Sequence, residues 1–71
     1  MFSAAWCPYC AEARRYFQAN RVAFRERDLD KEPAARREYE RLGGNGLPLI
    51  LVGDQRLSGF SVDAFRRLYD R

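Results

Sequence analysis

The chain has 71 residues, close to half of them apolar and ten aromatic, with a net charge of +3 from 13 basic against 10 acidic side chains. That length leaves room for one domain with one small core, and the apolar content excludes a disordered chain. Charges of both signs are interspersed, as in Arg25-Glu26-Arg27-Asp28 and Arg36-Arg37-Glu38-Tyr39-Glu40-Arg41, so there is no basic tail to suggest a nucleic-acid partner. No apolar run approaches the roughly 20 residues of a membrane span, and charge begins at Glu12, which argues against a signal peptide.

Met1 to Ala5 reads as the end of a first strand. Pro8 suits the first turn of a helix, where a missing N–H is harmless. That helix continues to about Asn20, with Ala13, Tyr16, Phe17 and Asn20 on one stripe. Val22 to Asp28 alternates with period two and predicts a half-exposed strand. A second helix starts between Asp30 and Pro33, runs through Tyr39 and Leu42, and stops at Gly43-Gly44. Pro48 to Val52 is a continuous apolar run of the kind found in buried strands, Gly53-Asp54 a tight hairpin turn, and Gln55 to Leu57 the returning strand. Ser58-Gly59-Phe60 turns the chain, and Ser61 caps a last helix with Ala64, Phe65, Leu68 and Tyr69 on its buried stripe. The order βαβαββα predicts an α/β fold, its sheet parallel in the βαβ part and antiparallel in the final hairpin.

Both cysteines lie in Trp6-Cys7-Pro8-Tyr9-Cys10, where the first strand gives way to the first helix. A disulfide three residues long closes too small a loop to brace a fold. A zinc site takes about four ligands. With no histidine and no further cysteine, zinc could be held only between two chains, and two inert buried thiols are the other non-redox alternative. C-x-x-C beside a βαβ pattern reads as a redox dithiol. Cys7 falls at the helix N-terminus, where unpartnered amides and the helix dipole favour a thiolate. Cys7 is therefore the expected nucleophile and Cys10, one turn further in, the resolving thiol. Pro48 reads either as a proline opening a strand or as a cis-proline beside the dithiol.

Over essentially its whole length the chain resembles the glutaredoxin branch of the thioredoxin superfamily. The resemblance rests on Cys7-Pro8-Tyr9-Cys10, on Gly46-Leu47-Pro48 before a buried strand, and on Ser58-Gly59-Phe60-Ser61 opening the last helix. It implies a single domain over residues 1–71 with a thioredoxin-like fold, a four-stranded mixed sheet with helices on both faces. It implies a thiol–disulfide oxidoreductase that reduces protein or glutathione mixed disulfides, with glutathione as co-substrate and no permanently bound cofactor or metal. Tyr9 would flank a glutathione groove, and the Leu47 backbone would pair with the cysteinyl part beside cis-Pro48. Gly59, Phe60 and Ser61 would receive the γ-glutamyl carboxylate at a helix N-terminus. An arginine of the second helix, Arg37 or its neighbour Arg36, would meet the glycyl carboxylate.

The chain departs from the family pattern at Ala4, where many glutaredoxins carry a lysine, at Gly46-Leu47-Pro48 in place of Thr-Val-Pro, at Ser58-Gly59 in place of Gly-Gly, and at Val62 in place of an aspartate. Ser58-Gly59-Phe60 with Asp63 is similar to redoxins that serve ribonucleotide reductase and take electrons from thioredoxin reductase. A [2Fe–2S] module shared between protomers is a third reading, disfavoured by the rigid Pro8. The expected partners are glutathione and disulfide-bearing proteins, with a monomer in the cytoplasm. The abrupt start also fits a domain cut from a longer, exported chain, with a periplasmic setting as its consequence.

Overall fold

In the computed structural model, residues 1–69 are described. The elements in chain order are β1 (Phe2–Ser3), α1 (Pro8–Ala19), β2 (Arg27–Asp28), α2 (Pro33–Arg41), β3 (Leu49–Val52), β4 (Gln55–Ser58) and α3 (Val62–Tyr69). This is the expected βαβαββα order. The sheet runs β2-β1-β3-β4, with β1 parallel to β2 and the other two pairings antiparallel.

Prolines open two of the helices and local chemistry closes them. Pro8 and Pro33 stand in the first turns of α1 and α2, where N–H groups lack intrahelical partners anyway. At the end of α1 the Asn20 side-chain amide donates to the Tyr16 carbonyl at 2.9 Å. Arg21 turns into the left-handed region with φ 55°, and the Val22 N–H reaches back to the Phe17 carbonyl at 2.8 Å. That last bond is the long closure that accompanies a left-handed residue after a helix. At the start of α3 the Ser61 hydroxyl accepts from the Ala64 N–H at 3.1 Å, the cap expected from the sequence.

The sheet separates two cores. Phe2, Leu29, Ala35 and Leu49 pack on the α2 face, with Tyr39, Leu42 and Leu47 around them. Ala13, Phe17, Ile50 and Phe65 pack on the opposite face, under α1 and α3. Successive strand residues point to opposite faces, which is why Leu49 belongs to one core and Ile50 to the other. Phe17, 1% exposed, sits within 4.9 to 5.9 Å of the Phe24, Phe60 and Phe65 rings and forms the centre of the second core.

The expected strand Val22 to Asp28 is shorter in the structure, reduced to Arg27–Asp28. The Arg27 N–H donates to the Met1 carbonyl and the Leu29 N–H to the Ser3 carbonyl, at 2.8 and 2.9 Å. β1 extends only over Phe2–Ser3, so Val22 to Phe24 have no neighbouring strand to pair with. Their alternation survives as packing: Val22 and Phe24 still lean on the second core.

The glycine pair after α2 has two separate reasons. Gly43 adopts φ 71° and has open space where a Cβ would stand. Gly44 needs no special φ, but a Cβ there would run into the Tyr39 ring. That ring lies over the loop leading to β3, and the Tyr39 hydroxyl donates to the Gly46 carbonyl at 2.7 Å. Gly44→Ala is therefore expected to destabilise by about 1–3 kcal/mol through overpacking. Gly43→Ala, strained only by its backbone, is expected to lose about 1–2 kcal/mol. Chemical denaturation of both variants checks this, and a Gly44→Ala protein as stable as the parent would contradict the role given to Tyr39.

Candidate active site

The N-terminus of α1 is built on a sulfur. Cys7 has extended backbone angles, φ −88° and ψ 113°, and occupies the N-cap. Its Sγ accepts from the Cys10 N–H at 3.2 Å, so the thiol takes the place that a serine or aspartate oxygen fills in most caps. The Cys7 N–H donates to the Ala4 carbonyl at 3.2 Å, which fixes the turn from β1 into the helix. Ala4, Cys7 and Cys10 form a small cluster, closed from the loop before β3 by Leu47. The Leu47–Pro48 peptide is cis.

The two thiols, not joined to each other, have different surroundings. Cys7 lines a groove together with Trp6, Pro8, Tyr9, Leu29, Arg36, Tyr39, Gly46 and Leu47. The groove holds about 480 Å³, within the range of roughly 300–1,000 Å³ typical of small-ligand clefts. Cys10 is fully buried and does not line it. Burial pushes the Cys10 thiol up to about 12, helped by its hydrogen bond with Cys7 and opposed by the Ala4 backbone and the Arg14 charge.

Several residues expected from the sequence meet at this groove: Cys7, Tyr9 and Leu47 all lie in its wall. Of the two candidate arginines, Arg36 lines it and Arg37, one residue on, does not. Successive helix residues are rotated by about 100°, and on α2 that rotation separates Arg36, in the wall, from Arg37. Pro48 is buried behind the wall. Gly59, Phe60 and Ser61 lie outside it. The Gly59 N–H donates to the Pro48 carbonyl at 2.8 Å, and the Phe60 ring packs on Tyr16 and Phe17 in the core. Each is thus engaged within the protein, and Ser61 serves as the helix cap.

Three features of the site have no counterpart in the sequence reading. Trp6, 71% exposed, stands beside Cys7 with its indole N–H donating to Asp30 at 3.0 Å. Asp30 also pairs with Arg36 at 3.3 Å, so one carboxylate holds both an aromatic wall and a cation of the groove. Tyr39 contributes a second aromatic wall, from α2. Behind the dithiol, Glu26 receives Arg14 through Nε and Nη2 of its guanidinium and the Ser3 hydroxyl at 2.7 Å. The adjacency of Trp6 to Cys7 was a usable signal. The Glu26 contacts bridge 12 and 23 residues and had none. Among the described residues, no group of three or more acids or cysteines converges as metal ligands, and no helix is long and apolar enough to cross a membrane.

Comparison with known proteins places the chain in a family. The family model described as Glutaredoxin matches residues 1–57. A glutaredoxin of Pseudomonas aeruginosa is 35% identical over 60 residues, covering 83% of this chain and 71% of that protein. A glutaredoxin of Neisseria meningitidis serogroup B is 35% identical over 68 residues, covering 93% and 79%. Among solved structures, a point mutant of the thioredoxin-like protein BC3987 superposes with a TM-score of 0.87 at 24% identity, over 97% of this chain and 90% of that one. The unmutated BC3987 gives 0.82 at 25% identity, over 94% and 93%. The fold is thioredoxin-like, and the chain belongs to the glutaredoxin family, whose members are thiol–disulfide oxidoreductases.

The ion pair behind the site gives a pH signature. Hydrogen bonds from Arg14 and Ser3 hold the Glu26 carboxyl below its ordinary value against the opposing effect of burial. A carboxyl depressed in the folded state stabilises above its unfolded pKa, near 4.3 for glutamate, and this contribution is lost as pH falls through the folded value. Glu26→Gln is therefore expected to lower stability at pH 7, with the difference from the parent shrinking below about pH 4. Urea titrations across that range measure it; a pH-independent difference would contradict the assignment.

Proposed function

We propose that this chain is a dithiol oxidoreductase coupled to glutathione, with Cys7 attacking and Cys10 resolving. The observation that carries the proposal is the asymmetry of the pair. Cys7 caps the helix and faces a groove, whereas Cys10 is sealed in and held protonated at neutral pH. Only one of the two thiols is placed to meet a substrate sulfur.

In the first step the Cys7 thiolate attacks one sulfur of the substrate disulfide. A Cys7–substrate disulfide forms, the substrate S–S bond breaks, and the departing thiolate takes a proton from water. Cys10 then loses its proton to solvent and attacks Cys7 Sγ. The mixed disulfide breaks, the second substrate thiol leaves, and Cys7 and Cys10 are joined. Two glutathione thiols reverse the sequence, returning the dithiol and leaving oxidised glutathione. With a glutathione mixed disulfide as substrate, a second glutathione can release Cys7 without Cys10.

Glutathione would lie along the groove, flanked by Tyr9 and Trp6, with its peptide backbone beside Leu47 and Pro48. Arg36 supports a carboxylate at one end, because it is the groove's own cation. The first turn of α3, after Gly59, Phe60 and Ser61, is the candidate for the other carboxylate. Arg37 would act as a second, more distant positive charge. A second reading keeps the chemistry and replaces the donor by thioredoxin reductase. It is favoured by Ala4, which is 1% exposed and apolar where many glutaredoxins offer a charge, and by the Asp30 contact that occupies Arg36.

The hydroxyethyl-disulfide assay with glutathione, glutathione reductase and NADPH tests the proposal. The wild type is expected to turn over, Cys7→Ser to be inactive, and Cys10→Ser to retain activity on glutathione mixed disulfides while losing it on protein disulfides. An inactive wild type, or a fully active Cys7→Ser variant, would sink the reading. Reduction by thioredoxin reductase and NADPH with no glutathione present would decide for the second donor.

A further inference from the structure

The reading above leaves one step without help: Cys10 must ionise although burial opposes it. The residue placed to assist is Arg14. It stands four residues after Cys10 on α1, and residues four apart on a helix lie one above the other, with side chains leaning toward the N-terminal turn. An arginine at the surface of a helix would ordinarily sample many positions. This one is held: Nε donates to Glu26 Oε1 at 2.8 Å, and Nη2 bonds to Glu26 Oε2. The same Oε2 accepts from the hydroxyl of Ser3, which is fully buried in β1. Ser3 is followed by Ala4, the residue that packs against both thiols. The guanidinium is thus anchored to the strand that leads into Ala4.

We propose that Arg14, fixed by Glu26 and Ser3, is a positioning residue for the second half-reaction, where its charge favours the Cys10 thiolate that attacks the mixed disulfide. This rests on the dithiol reading above and goes beyond it by assigning a device to the resolving step alone. The attacking group remains Cys10. Its proton goes to solvent, its sulfur forms the bond to Cys7 Sγ, and the substrate sulfur leaves with the electron pair of the broken bond. Arg14 takes no proton at any stage. Its electrostatic effect on Cys10 favours ionisation, in the direction opposite to burial and to the neighbouring Cys7. The Glu26 and Asp28 carboxylates lie near the guanidinium, Lys31 and Glu32 line the same surface pocket as Arg14, and the Met1 amino group lies near Glu26. Glu26 tempers the cation while holding it in place, which keeps an uncompensated charge out of a partly buried site.

Ellman's reagent separates the two half-reactions without glutathione. Attack by Cys7 releases one nitrothiobenzoate, and attack by Cys10 on the resulting mixed disulfide releases a second. In Arg14→Met the first phase is expected to match the wild type and the second to slow several-fold. Because a less acidic thiol is also a better nucleophile, each tenfold loss of thiolate slows exchange only about three- to fourfold. The pH–rate profile of the second phase should move to higher pH in Arg14→Met and return toward the wild type in Arg14→Lys, which restores the charge. Arg14→Met/Glu26→Gln removes both charges, leaves no orphaned carboxylate in the fold, and should show the same slow second phase. Superimposable second phases in wild type and Arg14→Met would overturn the proposal, as would equal slowing of both phases or no rescue by lysine. A wild type that releases only one equivalent would overturn the dithiol reading itself, and the role of Arg14 with it.

Discussion

The hydrogen bond from the Cys10 N–H to Cys7 Sγ is the contact on which the rest of the molecule depends. A helix N-terminus leaves its first amides without partners, and most proteins satisfy one of them with an oxygen that does nothing else. Here the acceptor is the sulfur of Cys7, the nucleophile in the proposed mechanism. Helix capping and the proposed chemistry therefore fall on the same atom. The surrounding fold keeps that atom in register: the turn after β1 supplies the carbonyl of Ala4 that holds the Cys7 backbone, and the loop before β3 brings Leu47 against the cluster.

The sheet then makes the two thiols unequal. Cys7 ends a strand-to-helix turn and borders a groove between the α1 N-terminus and α2. Cys10 starts the stripe that continues through Ala13 and Phe17 into the core. A helix carrying one cysteine at its cap and another three residues later must place the second on its inward side if that side is the apolar one. Both thiols are buried, and the stripe that anchors α1 thus decides which of them is shut away from the groove. A second cavity, of about 540 Å³, lies away from the dithiol between Met1, Phe24, Val52 and Tyr69 and contains neither thiol. Its apolar lining reflects the incompletely paired stretch before β2.

Much of this was legible in the sequence, for local reasons. Pro8 after Cys7, Ser61 before an apolar stripe and Gly53-Asp54 between two strands each carry their meaning within four or five residues, and the structure places a helix start, a cap and a hairpin there. What depends on distant partners was not legible. The alternation of Val22 to Asp28 describes which side chains face inward but not whether a neighbouring strand exists, so β2 came out shorter than the pattern. The Gly59 N–H bonds to the Pro48 carbonyl, far back along the chain but adjacent across the hairpin, a contact no local pattern announces. The choice between Arg36 and Arg37 turned on the rotation of a helix whose facing groove could not be seen. Trp6, Asp30 and Arg36 form one connected group only because the chain folds back after β2.

The central claim is that Cys7 carries glutathione in the groove between the α1 N-terminus and α2. The most direct measurement is an NMR map, or a crystal structure, of the glutathione mixed disulfide of Cys10→Ser, in which the resolving thiol cannot release the ligand. The account predicts a single adduct at Cys7, with the ligand's effects concentrated on Trp6, Tyr9, Arg36, Leu47 and the first turn of α3. An adduct that leaves those residues unperturbed, or one whose effects centre on the apolar cavity beside Phe24 and Tyr69, would contradict it.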